Sequence, residues 1–464
     1  MSIQQISPAL SEEHGKVVSC RERLIEDRQH DILAMRDKID RLAPVGLPFG
    51  VSAMMSPWPI YFPRSVLERL EQVQEALHAA SVDVVNRWYE EGSSFPAKMP
   101  LEPHEDELLR WYVRCAEPYS DRLGCYRPDV LFEDKSEDVQ ICEINGRFPF
   151  NGFLISALSC TSALSDPTSL AAKANLRPGS RMDVMESAIL SLFDLKKPIH
   201  IVFQRETWPG ADIHKVKDLL EEMEVDVRYV VPASLIIDNE DRLYAIDEHG
   251  LRSEVLQVSL EVEQAELRYL PQVVLQALAV RCRSNDVRTV FLVHDKRFLA
   301  VLLEQLESQV DRGILSPRQA KLLQDVIIES HLPSSSEAAR VLDECERIPS
   351  AKDAYVLKAI RSGRNQGHTF GFAVDQHEWL DKLRQMVKAN EKMASQVLQR
   401  FVKQRRYPII RHHIDPTQTA DFSLVSSYCV CNGRFLDMGP TRIRSGHLSE
   451  GKGSVFLGSV TDVS

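Results

Sequence analysis

From Ser65 to about Glu91, apolar residues recur at Val66, Leu67, Leu70, Val73, Leu77, Val84 and Trp88, a spacing near 3.6 that predicts an amphipathic helix. Glu105 to Ala116 reads as a second helix. The period then changes. Arg127 to Glu133 forms an extended apolar run, Lys135-Ser-Glu supplies a polar turn, and Val139 to Asn145 forms a second run, which together predict a hairpin. Upstream, residues 1–43 read as an exposed, highly charged helix after a short polar tail, with Ser11 as an N-cap signal. The stretch from Gly46 to Pro63, rich in proline and aromatics, is expected to be irregular and to wrap a core, with helical periodicity resuming at Arg64.

Residues 196–290 carry a different pattern. Pro198 to Phe203 reads as a buried strand, Asp212 to Glu224 as an amphipathic helix, Val225 to Val231 as another strand, and Arg242 to Ile246 follows a polar turn. Strand, helix, strand at this spacing predicts a βαβ unit with a small parallel sheet. Further on, Val290 to Val293 leads into His294-Asp295-Lys296 and a helix, and Ser334 to Glu337 is a flexible, cap-like stretch. Ala354 to Leu357 forms a short buried strand ending on Lys358. Gln376 to Arg400 reads as a long polar helix continuing toward Val402, and strand-like pieces lie at Phe422–Cys431 and Arg434–Asp437. Three regions result: 1–195, 196–290 and 291–464. No internal repeat occurs.

At 464 residues the chain exceeds one simple core. A net charge of −11 argues against a general nucleic-acid or membrane-surface binder, since both need a basic field. Neither a signal peptide nor a run of 18 apolar residues is present. Nine cysteines without framework spacing imply reduced thiols and a cytoplasmic protein. Cys429 and Cys431 read as packing residues.

Candidate chemistry begins in the second hairpin strand. Residues i and i+2 of a strand point the same way, so Glu143 and Asn145 project side by side, as a hard cation such as Mg2+ requires; a solvated edge strand would show the same spacing. Far downstream, Lys358 opens a segment with Arg361, Gly363, Gly367 and Gly371, where backbone N–H groups and a point charge suit a phosphate. The spacing matches neither the P-loop nor the Rossmann fingerprint, and an ordinary hairpin is the competing reading. Arg442 and Arg444 share one strand face and suit a phosphate or carboxylate. The basic cluster Lys403 to Tyr407 reads as a solvated helix end. His412-His413 with Asp415 reads as a polar turn, and no G-x-S-x-G occurs.

Taken together, these pieces resemble ATP-grasp ligases, specifically the permuted branch typified by eukaryotic glutathione synthetase, in which the Glu-x-Asn strand precedes the nucleotide lysine. The resemblance covers most of residues 120–464 and implies an α/β (α+β) chain: an ATP-grasp fold with permuted order and an inserted small βαβ (Rossmann-like) substrate domain at 196–290. It implies Mg2+ on Glu143 and Asn145, and ATP phosphates on Lys358 and Lys296 with Arg361, Gly363 and Gly367. Adenine would lie along Gln399, Phe401 and Val402, with Arg444 a further nucleotide contact. Arg127 and Arg442 would face the substrates, a small-molecule carboxylic acid and an amino-acid-like amine. The implied reaction is ADP-forming amide synthesis through an acyl phosphate, with a homodimer as the assembly and no nucleic-acid or membrane partner. Two departures stand out. Ser362 replaces a further acidic metal ligand, with water or Asn365 as substitutes, and Gly146 to Asn151 replace the family's serine-rich substrate segment. Arg147 is therefore expected to meet an anion, and Phe148 or Phe150 an apolar substrate part. A nucleotide-binding pseudo-ligase and a phosphotransferase on the same fold remain the alternatives.

Overall fold

The computed structural model describes residues 2–10, 17–19, 25–42, 55–136, 138–164, 175–204, 212–361, 366–388, 395–410, 419–444 and 456–463. Strands are β1 (Gln4–Leu10), β2 (Val17–Ser19), β3 (Met55–Tyr61), β4 (Cys125–Phe132), β5 (Val139–Asn145) and β6 (Leu176–Pro178). The middle of the chain adds β7 (Ile199–Phe203), β8 (Val227–Val230), β9 (Leu235–Ile237), β10 (Leu243–Ile246), β11 (Arg252–Glu254) and β12 (Val258–Glu261). The last third adds β13 (Ser330–His331), β14 (Tyr355–Ala359), β15 (Thr369–Phe370), β16 (Gln396–Arg400), β17 (Arg406–Ile410), β18 (Thr419–Cys431), β19 (Arg434–Arg444) and β20 (Phe456–Asp462).

Four sheets result. The largest has ten strands in the order β2-β1-β3-β20-β19-β18-β4-β5, with β17 on β18 and β6 on β20. The helix Arg64–Asn86 buries Leu67, Leu70, Val73, Leu77 and Val84 in the principal core, the face that the 3.6 spacing predicts. β12, β7 and β8 form a small parallel sheet with the helix Asp212–Glu222 between β7 and β8, and β9 to β11 form an antiparallel meander. β13-β16-β14-β15 make the fourth sheet, and Ser335 caps the helix Ser336–Arg347 by accepting from Ala338 N. β18 and β19 turn through Asn432 and Gly433, both at positive φ (45° and 78°), the backbone that a two-residue hairpin loop needs.

Three expectations need correction. Residues 1–43 are not one helix after a tail: β1 and β2 come first, and the helix is Ile25–Leu42. Ile3 and Ile6 are buried and β1 pairs with β3, so a partner some 55 residues away decides the local structure. The Pro-rich stretch ends not in irregular chain but in β3, buried throughout. Its parallel ladder with β20 shifts register between Leu457 and Ser459, opposite the segment that holds Pro57 and Pro59, so the ladder steps past residues that lack an N–H. The polar helix from Gln376 stops at Lys388, and Gln396–Arg400 is strand β16, whose Val397 and Leu398 are buried. The basic cluster therefore sits at no helix end. Lys403 pairs with Asp134 at 3.1 Å, and Arg406 donates to the Asp421 carbonyl at 2.6 Å. No helix among the described residues is long and apolar enough to cross a membrane.

Candidate active site

The polar turn at Asp134 to Ser136 lets β4 and β5 pair antiparallel, with Arg127 opposite Asn145 and Asp129 opposite Glu143. Four polar side chains are thus delivered to one patch of sheet by purely local pairing. Glu143 and Asn145 are both half-buried. β5 is also the surface on which the β14/β16 sheet docks: the Cys142 carbonyl accepts from Lys358 Nζ at 3.2 Å and from Gln399 Nε2 at 3.3 Å. That shared acceptor brings Lys358 beside Glu143.

Lys296, buried just beyond a single π-helical turn at Thr289–Val293, places its Nζ 3.4 Å from Glu143 Oε2. Arg442 reaches Asp129 at 2.7 Å from two strands away. Burial by itself would raise the Glu143 carboxyl, but Lys296 first, then Lys358, His368 and Arg442, hold it well below the usual carboxylate range. Glu143 is therefore ionised, and the net charge around it is positive. The Asn145 side chain makes no hydrogen bond to the described residues, so its amide oxygen is available as a ligand.

Two oxygen donors with cations behind them fit a magnesium ion that keeps water and phosphate in its other positions. Among the described residues no three His, Cys, Asp or Glu side chains form an all-protein cage. Ser362, Gly363 and Asn365 lie outside the described residues, as do His412, His413 and Asp415 and the side chain of Arg444, whose backbone ends β19.

Other predicted residues are placed differently. Arg361 is bound within the protein: its guanidinium meets Glu105 at 2.7 and 2.9 Å and lies 3.6 Å from Asp295. Gly367 adopts φ +72°, against Ala359. Gln399 spends its amide on Cys142 and on Ser330 Oγ, while Val402 packs in a small core with Cys142 and Ile328. The Phe401 ring joins Phe370 and Phe372, and its N–H donates to the Ala354 carbonyl at 2.7 Å. Phe150 is core, tilted against Phe193, so it is not open to a substrate. Arg147 already meets a protein carboxylate, Glu263, at 2.7 Å and stacks over Phe148. Cys429 and Cys431 pack in the second core.

Three contributors escape a sequence reading. His294 places Nδ1 3.1 Å from the Ile144 carbonyl and 3.4 Å from Gly146 N, bracketing Asn145. Asn285 donates to the carbonyls of Gly146 (3.1 Å) and Arg147 (3.4 Å). Asp129 was legible in principle, because an Arg-x-Asp on the first strand of a hairpin faces a Glu-x-Asn on the second.

Residues 73–292 match the family described as the AnkG N-terminal domain. Across 95% of this chain and 96% of the relative, the sequence is 27% identical to the ATP-grasp enzyme ankG of Aspergillus thermomutatus. Among solved structures it superimposes on a glutathione synthetase-like effector (GSS30) from Globodera pallida in its apo form, with a TM-score of 0.55, 14% identity, and coverage of 95% of this chain and 98% of that one. Over nearly its whole length the chain is thus similar in sequence to an ATP-grasp enzyme and in fold to a glutathione synthetase-like protein.

Proposed function

We propose that the protein is an ADP-forming carboxylate–amine ligase. The observation that carries this reading is the convergence of Lys296, Lys358 and Arg442 on the ionised Glu143 beside Asn145, from segments more than 200 residues apart at the extremes. Cys142 lends this cluster its backbone carbonyl while its side chain packs with Ile328 and Val402, so the reading is positioning and charge compensation rather than covalent catalysis. Glu143 and Asn145 would hold Mg2+, which supplies charge neutralisation of the ATP phosphates. Lys296 and Lys358 would bind those phosphates, and Arg442 and Arg127 would orient the carboxylate. That carboxylate attacks the γ-phosphorus, the bond to the β-phosphate oxygen breaks, and ADP leaves. An amine then attacks the acyl carbon, loses a proton, and displaces inorganic phosphate.

The segment after Asn145 fits a substrate of its own kind, with Arg147 and the Phe148 ring where the related synthetases carry serines, and we assign the reaction to specialised metabolism on that basis. The test is Mg-ATP with pooled acids and hydroxylamine: a hydroxamate names the activated acid. Lys358→Ala is expected to abolish amine-dependent ADP release in a folded protein, and unchanged turnover would remove the assignment.

A further inference from the structure

Arg127 is 8% exposed, yet among the described residues its side chain makes no hydrogen bond and no ion pair, and its Nε is a buried donor without a partner. A buried guanidinium left in that condition is costly, and buried polar groups in folded proteins are otherwise satisfied. Asp129, two residues on, is engaged by Arg442. The Phe150–Gly152 turn crosses Arg127 closely: a Cβ on Gly152, at φ +93°, would lie 2.6 Å from Nη1. Only glycine permits that approach.

The same turn touches two acids. Asp212 accepts from Gly152 N at 2.7 Å and Ile155 N at 2.8 Å, so it caps the helix Phe153–Leu164 and is committed to structure. Glu261 is different. It ends β12 with 1% exposure, and its hydrogen bond is a long one, 3.4 Å from Phe150 N. The carboxyl ends of parallel strands are where α/β sheets take ligands, and β12 is parallel to β7. Arg127 and Asp212 are the charges that act on Glu261, and no cation lies at ion-pair distance among the described residues.

We propose that Arg127 and Glu261 form a two-ended receptor for the acid substrate: its carboxylate lies on Arg127, opposite Asn145, and a cationic nitrogen lies on Glu261, which makes the substrate an amino acid bound as its zwitterion. The inference rests on the ligase reading above. It engages both buried groups with one ligand, whereas a plain carboxylic acid would engage Arg127 alone. Burial holds the Glu261 carboxyl well above its ordinary range, and a bound ammonium would return it to the ionised form.

The test uses the full chain with Mg-ATP, hydroxylamine and three pools: the twenty amino acids, their N-acetyl derivatives, and the matching 2-hydroxy acids. Hydroxamate is expected from the amino-acid pool alone. Glu261→Gln, which keeps the Phe150 N–H bonded, should raise KM for the active amino acid roughly 10- to 100-fold, the loss of one charged hydrogen bond, with kcat little changed. It should also flatten the acid limb of the KM profile, while Mg-ATP raises Tm equally in both proteins as the control for folding. Hydroxamate from the N-acetyl or hydroxy acids at equal efficiency, or an unchanged KM in Glu261→Gln, overturns the inference and leaves the ligase standing. No hydroxamate from any pool removes both.

Discussion

Glu143→Gln tests the site through effects of opposite sign. The substitution preserves shape and removes one negative charge from a cluster in which Lys296 lies 3.4 Å away and Lys358 and Arg442 also act. At an effective dielectric of about 20, a pair at that spacing attracts by about 5 kcal/mol. The Glu143 side chain is 23% exposed, so solvent and the neutral amide recover part of this. A net destabilisation of about 2 kcal/mol follows, below the ~3–5 kcal/mol of fully buried pairs.

For ATP the sign reverses. Removing the carboxylate takes the acidic partner from Lys296 and Lys358, while Arg442 keeps Asp129, and one extra unit of positive charge in partly solvated surroundings adds about 1 kcal/mol of attraction, roughly 5-fold in metal-free ATP affinity. The gain from Mg2+ should vanish, because half of its protein ligand pair has lost its charge. Turnover should then fall by about 100-fold or more, at least ~2.7 kcal/mol of transition-state stabilisation. Three measurements check this: urea unfolding, calorimetric ATP binding with EDTA or Mg2+, and amine-dependent ADP release. If metal-free ATP binds the variant more weakly than wild type at equal fold, Glu143 is not the negative member of a phosphate site and the reasoning fails.

Arg361→Ala should destabilise the protein by about 3 kcal/mol without any nucleotide present, because it strips the buried Glu105 of its guanidinium partner; a urea midpoint within error of wild type would return Arg361 to a purely nucleotide-contacting role. His294→Ala should raise the Mg2+ concentration for half-maximal ADP release roughly 10-fold by loosening the backbone around Asn145, and His294→Asn should recover most of it. An unchanged Mg2+ titration refutes this positioning role. His200, hydrogen-bonded to Ser253, has its pKa lowered to about 4 by burial. Its unfolded form takes up a proton below about 6.5 while the native form does not, so stability falls as pH drops through that window toward 4. Between pH 6.5 and 5 the group accounts for about 2 kcal/mol, and His200→Asn should lose that much of the pH dependence of unfolding.

What was legible follows the range of the interactions. The β4/β5 hairpin depends on a turn a few residues long, and its register already implies the pairing of Arg127 with Asn145. The helix Arg64–Asn86 announces itself through its buried face. By contrast, β3 carries two prolines and is a strand because β1 and β20 pair with it, the latter some 400 residues away. β16 lies between β13 and β14, and a polar helix preceding it masked the change of period. Arg361 shows the same limit of range: beside a glycine-rich segment it suggests a phosphate ligand, and its partner Glu105 lies 256 residues upstream. Lys296 and Lys358 gained their meaning from the resemblance, and their contact with β5 is a property of sheet docking that no local pattern encodes.

The same distinction of range bears on how an acidic protein would hold the nucleotide of the proposed reaction. The chain carries −11 overall, yet at physiological ionic strength charges farther apart than about 8 Å are largely screened. Lys296 and Lys358 are 4% and 8% exposed, so their fields act in a region where water and salt screen poorly. A nucleotide small enough to reach them would feel the local cations, whereas an extended polyanion lying on the outer surface would feel the acidic exterior. Under the proposed function, site geometry rather than net charge would set the preference for a compact triphosphate. Neutralising Lys358 should weaken ATP binding far more than neutralising an exposed cation such as Lys403, which pairs with Asp134 at the surface.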